Sequence, residues 1–219
     1  MQEKIKIWIG SSNAGKTQEI QQIFSGFDTI ANFEGFRGLE VEENGESFEE
    51  NALIKARAFY RALGEGRGDG FVLADDSGLC VGALAGRPGI YSARYAYLSP
   101  ANISKDSPKP IQNASDKENI ACVIKELHQK SIHSSAATFV AAIALVGCVK
   151  GKYIEKLTRG ELEGLVVDTP RGQNGFGYDG IFVPLGFERT LGEMEAFEKN
   201  QISHRRKALQ EAKLFLQSL

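Results

Sequence analysis

The sequence has few cysteines, no marked excess of charge of either sign and no long hydrophobic run. Its three cysteines are odd in number and widely spaced, and they form no C-x-x-C pair, so we expect reduced thiols instead of a disulfide framework or a thiolate metal site. The formal net charge of the 219 residues is −2, whereas proteins that bind nucleic acid or membrane surfaces usually carry a strong basic excess. We therefore expect neither a nucleic-acid nor a membrane partner.

The longest apolar stretch, FVAAIALVGCV, is far too short to cross a bilayer. The first ten residues, MQEKIKIWIG, combine charges with a short strand-like run and do not look like a signal peptide. Both observations favour a cytoplasmic protein. The chain is long enough to bury a substantial core, and because it contains no internal repeat and no linker, we predict a single domain over residues 1–219.

Strand-like and helical patterns alternate in the first half of the chain, whereas the second half contains a hairpin-like pair. We predict strands at Lys4–Ile9 and 71–74, helices at Thr17–Phe24 and from Ser47, and an irregular segment at 28–46. Farther along, the runs ATFVAAIALVGCV and GKYIEKLTRGELEG are adjacent and predict an antiparallel pair. This mixture predicts an α/β fold with a mixed sheet instead of a purely parallel one.

Residues 10–17 read GSSNAGKT and match the P-loop pattern G-x-x-x-x-G-K-[ST] between a predicted strand and a predicted helix. Such a loop directs backbone N–H groups and a helix N-terminus at a phosphate. The run FVLADD fits the second P-loop motif, in which an aspartate at the end of a strand lies near Mg²⁺. One hypothesis is therefore a P-loop kinase or NTPase, in which the Thr17 hydroxyl would bind Mg²⁺.

Two pairs of adjacent acidic residues are candidates for metal binding. Asp75 and Asp76 follow a predicted strand, where two carboxylates can hold Mg²⁺ or one can take a proton from water; a solvated turn is the alternative. Glu42 and Glu43 form a second pair in a loop, and by itself such a pair is usually only a solvated surface. Position alone does not decide between these interpretations.

Two further segments offer ligand-binding side chains. In GFGYD, residues 175–179, the glycines permit a close approach of the backbone to a ligand and the aromatic rings can stack on a base; a glycine turn with core aromatics is the alternative. Lys199, His204 and Arg205 lie close to the start of the last helix, where the dipole disfavours cations, so they indicate either an anionic ligand or simple exposure. The remaining histidines, 128 and 133, show no ligand spacing, and we expect them on the surface.

Taken together, these segments resemble the inosine triphosphate pyrophosphatase family, the XTP/dITP diphosphatases. The matching stretches occur in the family's order from residue 7 to about residue 210: SSNAGK, SFEENALIKAR, LADDSGLCVGALAGRPGIYSARYA, GFGYDGIF, and TLGEM followed by EKNQISHRRKAL. The resemblance implies a long, twisted mixed sheet flanked by helices, with two lobes and a central cleft, and a homodimer. It also implies that the match to a P-loop is coincidental.

The resemblance implies Mg²⁺-dependent hydrolysis of ITP, dITP and XTP to the monophosphate and pyrophosphate, which clears aberrant purine nucleotides from the precursor pool. The implied catalytic residues are Asp76, Lys16 and Lys55, with Asp76 as the base toward water. The implied metal ligands are drawn from Glu42, Glu43, Asp75 and Asp76. The implied substrate contacts are Ser11, Ser12, Asn13, Ala14, Gly15, Lys16, Ser77, Phe176, Gly177, Tyr178, Asp179, Lys199, His204 and Arg205.

The sequence departs from the family's pattern at a few positions. Gly180 stands where proline is usual, Gly192 stands where alanine is usual, and the polar loop at 97–117 is longer than expected. The alignment permits either Glu42 or Glu43 as the metal ligand. A third hypothesis, a non-catalytic nucleotide-binding protein, predicts nucleotide affinity without turnover.

Overall fold

The computed structural model describes residues 5–11, 13–64, 68–98 and 113–219. The strands in these ranges are β1 Lys6–Ile9, β2 Asp28–Ile30, β3 Gly70–Val81, β4 Ser134–Val149, β5 Lys152–Val167 and β6 Phe182–Pro184. The helices in the same ranges are α1 Ala14–Ile23, α2 Phe48–Ala62, α3 Tyr95–Leu98, α4 Asp116–Gln129, α5 Ala196–Ile202 and α6 His204–Gln217. Most of the loop predicted at 97–117 lies outside the described residues.

The strands form one mixed sheet in the order β2-β1-β3-β4-β5-β6. β1 pairs in parallel with both β2 and β3, and β5 pairs antiparallel with β6. β4 and β5 are joined by Lys150 and Gly151, which both have positive φ. Two such residues are typical of a type I′ hairpin turn, whose twist matches that of the flanking strands. The predicted α/β fold with a mixed sheet is confirmed.

Two predictions about strands were wrong. The segment at 28–46 is not wholly irregular, because β2 pairs with β1 inside it. The strand predicted at 71–74 does not end before Asp75 but continues through Asp76 to Val81. Aspartate is depleted in strands, so two consecutive aspartates indicated a turn, whereas here they lie in the middle of a buried strand.

The chain divides into two compact units, each assembled from separate segments. Unit 1 comprises Met1–Asp76, Ala141–Gly160 and His204–Leu219, and unit 2 comprises Ser77–Val140 and Glu161–Ser203. Each unit has its own apolar core. The core of unit 1 includes Ile7, Ile20, Phe71, Ile143 and Leu209, and that of unit 2 includes Leu79, Tyr95, Leu127, Phe139 and Phe182. The single domain over residues 1–219 stays a prediction.

Local hydrogen bonds explain where the helices begin. The Ser47 hydroxyl accepts the backbone N–H of Glu50 at 3.1 Å and so caps α2, the helix predicted from Ser47. The Glu50 carboxylate accepts from the backbone of Glu46 instead of Ser47.

Among the described residues, none of the helices has both the length and the apolar character needed to cross a membrane.

Candidate active site

The segment that resembled a P-loop connects β1 to α1 beside β3. Gly10 donates its N–H to the carbonyl of Leu73 at 2.8 Å, so the segment leaves the sheet next to that residue. The side chain of Asn13 caps α1 by accepting the N–H of Lys16 at 3.0 Å. The N–H of Asn13 in turn donates to the hydroxyl of Ser11 at 3.2 Å. This turn therefore presents a capped helix N-terminus, the positive end of a helix dipole.

Two further residues of this segment lie at the surface. Ala14 and Gly15 form the first turn of α1 and are exposed. Ser12, also predicted to contact substrate, lies outside the described residues. Lys16 is partly buried and extends toward β3.

Asp75 holds two cations, of which Arg205 is buried and Lys16 is partly buried. Its Oδ2 lies 2.9 Å from Nζ of Lys16 and 3.2 Å from Nε of Arg205. The Asp75 side chain is only 1% exposed. Burial acts to raise the pKa of Asp75, but the positive charges of Lys16, Arg205 and Lys55 outweigh burial and hold this pKa below its ordinary value. Asp75 is therefore ionised.

Glu19 extends this ionic network and was not predicted. Its Oε2 lies 3.0 Å from Nη1 of Arg205. Glu19 is three residues after Lys16 on α1, a spacing that places two side chains on the same face of a helix. That spacing was the only signal in the sequence. Burial lowers the pKa of Lys16 despite the opposing charge of Asp75.

Asp76 belongs to a second cluster, which also includes α2 residues one helical turn apart. Lys55 Nζ lies 3.0 Å from Oδ1 of Asp76 and 3.3 Å from Oε1 of Glu43. Asn51 donates from Nδ2 to Oδ2 of Asp76 at 3.4 Å. Oδ1 of Asn51 accepts the N–H of Gly45 at 2.9 Å, which holds the loop that carries Glu43. The i, i+4 spacing on α2 thus presents both polar side chains to Asp76.

The electrostatics of this second cluster favour a base. Burial raises the pKa of Asp76, and the negative charge of Glu43 raises it further, against the opposing effect of Lys55. Burial acts to lower the pKa of Lys55, but Asp76, Glu43 and Asp75 outweigh it, so that this pKa lies above its ordinary value. A carboxylate whose pKa is raised toward neutrality is a more effective proton acceptor.

The predicted metal ligands are not equivalent in the structure. The carboxylates of Glu43 and Asp76 converge on one ammonium group, and oxygen donors of this kind fit Mg²⁺. Asp75 is engaged by cations on Oδ2, and Glu42 is exposed. The donor set therefore fits a divalent cation best at Glu43 and Asp76.

His204 and Arg205 form the first turn of α6, where both are buried. The helix can approach β5 there because position 160 is glycine. A Cβ added to Gly160 would lie 2.1 Å from the carbonyl oxygen of His204. The close packing explains why two polar side chains at a helix N-terminus are buried instead of exposed. Ser77, half-buried, follows directly after Asp76 in β3.

In unit 2, the GFGYD segment forms a tight turn around Asp179. Gly175 has φ of +76°, and a Cβ there would lie 2.0 Å from the Asp179 carboxylate. The same carboxylate accepts the N–H of Phe176 at 2.8 Å and is paired with the ammonium of Lys199. Nζ of Lys199 lies 4.4 Å from the centroid of the Phe176 ring, as in a cation–π contact.

The two aromatic residues of this segment differ in role. Tyr178 is 4% exposed, and its hydroxyl donates to the carbonyl of Ser92 at 2.8 Å, so it is a core anchor. Phe176 is 38% exposed. Gly177 donates its N–H to the carboxylate of Asp116 at 2.7 Å. The interpretation of GFGYD as a turn with a core aromatic thus applies to Tyr178, whereas stacking of a base on Phe176 stays a prediction.

The two glycines that depart from the family's pattern lie against each other. A Cβ added to Gly192 would lie 2.9 Å from Cα of Gly180 and 2.7 Å from the carbonyl oxygen of Arg171. The carbonyl oxygen of Gly180 accepts the N–H of Arg171 at 2.8 Å. A larger residue at 192 would therefore need a shift of the backbone at 180.

A sequence model of the Ham1 family matches residues 7–215 of this chain. A dITP/XTP pyrophosphatase from Campylobacter jejuni is 43% identical over 216 residues, which cover 98% of each chain. The dITP/XTP pyrophosphatase of Nautilia profundicola is 42% identical over 98% of this chain and 99% of its own.

Solved structures give the same result. The Ham1 protein of Staphylococcus aureus superposes with a TM-score of 0.77 at 37% identity, covering 97% of this chain and 98% of its own. A Ham1 protein from Coxiella burnetii superposes with a TM-score of 0.78 at 34% identity, covering 98% of this chain and all of its own.

Proposed function

This chain belongs to the Ham1 family, and from that premise we propose that it hydrolyses ITP, dITP and XTP to the monophosphate and pyrophosphate with Mg²⁺. It is a nucleoside triphosphate pyrophosphatase, a hydrolase of nucleotide metabolism. One observation supports the chemistry most directly: the carboxylates of Asp76 and Glu43 converge on the ammonium group of Lys55.

Hydrolysis between the α- and β-phosphates requires a base for water and positive charge for the departing pyrophosphate. We assign the base to Asp76, whose carboxylate would accept the proton of the attacking water. Lys55 and Lys16 would bind phosphate oxygens, since cations in a water-poor site stabilise developing negative charge. Asn51 orients Asp76 through its Nδ2–H. The capped N-terminus of α1, with Ser11 and Asn13, would contact the phosphate chain.

Glu43 and Asp76 would hold Mg²⁺, and Asp75, which we predicted as a further ligand, would position Lys16. When bound, Mg²⁺ neutralises phosphate charge. The assignment to Glu43 instead of Glu42 is supported by the 3.3 Å contact of Glu43 with the ammonium group that Asp76 also contacts. In this proposal the base is Asp76 and the phosphate-binding cations are Lys55 and Lys16.

Recognition of the purine is the second part of the proposal. The exposed ring of Phe176 and the adjacent ammonium of Lys199 form a surface on which a base can stack. Ser77, Gly177 and the buried residue pair at 204–205 stay predicted substrate contacts. Inosine and xanthosine carry an acceptor at position 6 where adenosine carries an amino donor, so N–H donors aimed at this position would favour the former.

The P-loop hypothesis loses one of its two supports in the structure. It required an aspartate of FVLADD at the end of a strand, whereas β3 continues beyond Asp76 to Val81. Family membership accounts for GFGYD and EKNQISHR, which a P-loop enzyme leaves unexplained. We therefore prefer the pyrophosphatase.

Product analysis tests this function. With Mg²⁺, we expect ITP and XTP to yield the monophosphate and pyrophosphate, and ATP to be discriminated against by up to roughly 10⁴–10⁵-fold in kcat/KM, as buried hydrogen-bonding sites can achieve. Chromatography of the nucleotide and an assay specific for pyrophosphate would measure both products. Thr17→Ala serves as the control, because a P-loop enzyme would lose nearly all activity and the proposed enzyme only a small part. Release of orthophosphate would contradict the proposal.

We further propose a cytoplasmic homodimer. Cys80, Cys122 and Cys148 form no disulfide, which is compatible with a reducing compartment. Large exposed apolar side chains on and next to the β5–β6 pair support self-association: Leu165, Leu185 and Phe187. We expect sedimentation equilibrium to give twice the chain mass of 23.9 kDa, and Leu185→Asp to shift it toward the monomer. A monomeric wild type would refute the dimer.

A further inference from the structure

Within unit 2, His128, His133 and Asp168 come together on one surface although nothing in the sequence brought them together. His128 lies in the last turn of α4, His133 precedes β4, and Asp168 follows β5. Their three ligand atoms all lie within 4.8 Å of one another. The expected surface position of the two histidines is confirmed, and their spacing in the sequence did not indicate an acidic partner because that partner is 35 residues or more away in the chain.

Both imidazoles are directed at the same carboxylate oxygen. Nε2 of His128 lies 2.9 Å from Oδ2 of Asp168, and Nδ1 of His133 lies 2.7 Å from that atom. The ring centroids are 5.8 Å apart with an interplanar angle of 59°, so the rings do not stack but converge through their nitrogens. A tetrahedral ion with ligands at about 2.0–2.1 Å separates them by roughly 3.4 Å, which a small rotation of exposed side chains provides.

Two further contacts hold Asp168 in place. Its other oxygen, Oδ1, accepts the hydroxyl of Thr169 at 3.2 Å, and the N–H of Asp168 donates to the carbonyl of His133 at 3.1 Å. Contacts of this type orient ligands in metal sites. His128 also lies at the C-terminal end of α4, where the helix dipole favours a cation.

We propose that His128, His133 and Asp168 bind a transition-metal ion such as Zn²⁺ at a surface site. Two imidazole nitrogens with one carboxylate oxygen are a donor set for Zn²⁺ and its first-row neighbours and not for Mg²⁺, which requires oxygen ligands. Three protein ligands leave further positions for water. The side chains of the two histidines are 51% and 81% exposed, so an ion can enter from solvent.

The bound ion would connect three segments that are distant in sequence: the end of α4, the approach to β4 and the end of β5. An ion that binds the folded chain and not the unfolded chain raises the free energy of unfolding by mass action. The site does not depend on the proposed function, because it contains none of the residues assigned to catalysis.

The experiment is a Zn²⁺ titration of the full chain against a chromophoric chelator. We expect one Zn²⁺ equivalent that millimolar Mg²⁺ does not displace, and whose affinity falls by more than about tenfold in His133→Asn, His128→Asn and Asp168→Asn. Glu43→Gln is the matched control, since a Zn²⁺ ion bound among the catalytic carboxylates would be lost there instead. Zn²⁺ should raise the Tm of the wild type and not that of His133→Asn.

Histidine NMR provides a readout that does not depend on any variant. The chain has three histidines, and Zn²⁺ should shift the ring proton signals of His128 and His133 while leaving those of His204 unchanged. The proposal is overturned if Zn²⁺ shifts neither ring, if it shifts His204 alone, or if the wild type and His133→Asn bind it equally.

Discussion

Asp76→Asn is expected to lower kcat for pyrophosphate release by roughly 10³-fold, the usual contribution of a positioned general base. The amide keeps the size of the side chain and an oxygen that Lys55 can contact, but it cannot accept a proton from water and carries no charge for the metal. Circular dichroism and denaturant unfolding should show that the variant folds. Rapid-quench measurement of pyrophosphate under saturating ITP would give the rate.

A matched pair of glutamate variants tests which of the two adjacent glutamates binds the metal. Glu43→Gln should raise the Mg²⁺ concentration needed for half-maximal activity, because it removes one of the two carboxylates that converge on Lys55. Glu42→Gln, one residue away and exposed, should behave as the wild type, as should Asp28→Asn on the edge strand β2. A near-normal rate in Asp76→Asn, or a stronger effect at Glu42 than at Glu43, would contradict the assignment.

Local rules predicted much of the fold. The helix predicted from Ser47 and the two adjacent strand runs, now β4 and β5, each carried a short-range pattern, and the structure confirms these elements. β2 was missed because its three residues are too few for a periodic signal, so its pairing with β1 determines it. α5 was missed because its seven residues include no buried side chain, and an apolar face is the signal that a helix prediction uses.

In the candidate site, too, some features could be predicted from the sequence and others could not. Family resemblance implied the candidate reactive residues, but their division into two clusters depends on tertiary contacts. Asp75 and Asp76 are adjacent and identical in residue type, so the sequence does not distinguish their roles. Successive side chains of a strand, however, point to opposite faces. One therefore meets Lys16 and Arg205, and the other meets Lys55. Nothing in the sequence indicated that Asp168 contacts two histidines, because it is 35 residues or more away from both.

Of the two clusters, the one around Asp75 is expected to contribute more to the free energy of unfolding. Asp75→Asn should lower the free energy of unfolding by about 3–5 kcal/mol, the usual cost of removing one partner from a buried ion pair. The reason is that the buried Arg205 and the partly buried Lys16 lose the carboxylate oxygen that they share. Urea unfolding of both proteins at neutral pH gives this difference. The control Glu155→Gln removes a carboxylate from a more exposed pair with Arg57 and should cost far less.

The same measurement at low pH tests the cause. The pKa of Asp75 is lowered below its ordinary value of 3.8 in the folded protein. A carboxyl group of this kind stabilises the fold above its unfolded pKa, and the contribution is lost as the pH falls through the folded pKa. The difference between wild type and Asp75→Asn should therefore be constant from neutral pH to about pH 5 and shrink below 3.8. A difference that persists unchanged at the lowest pH where both proteins fold would show that Asp75 acts through packing and not through its charge.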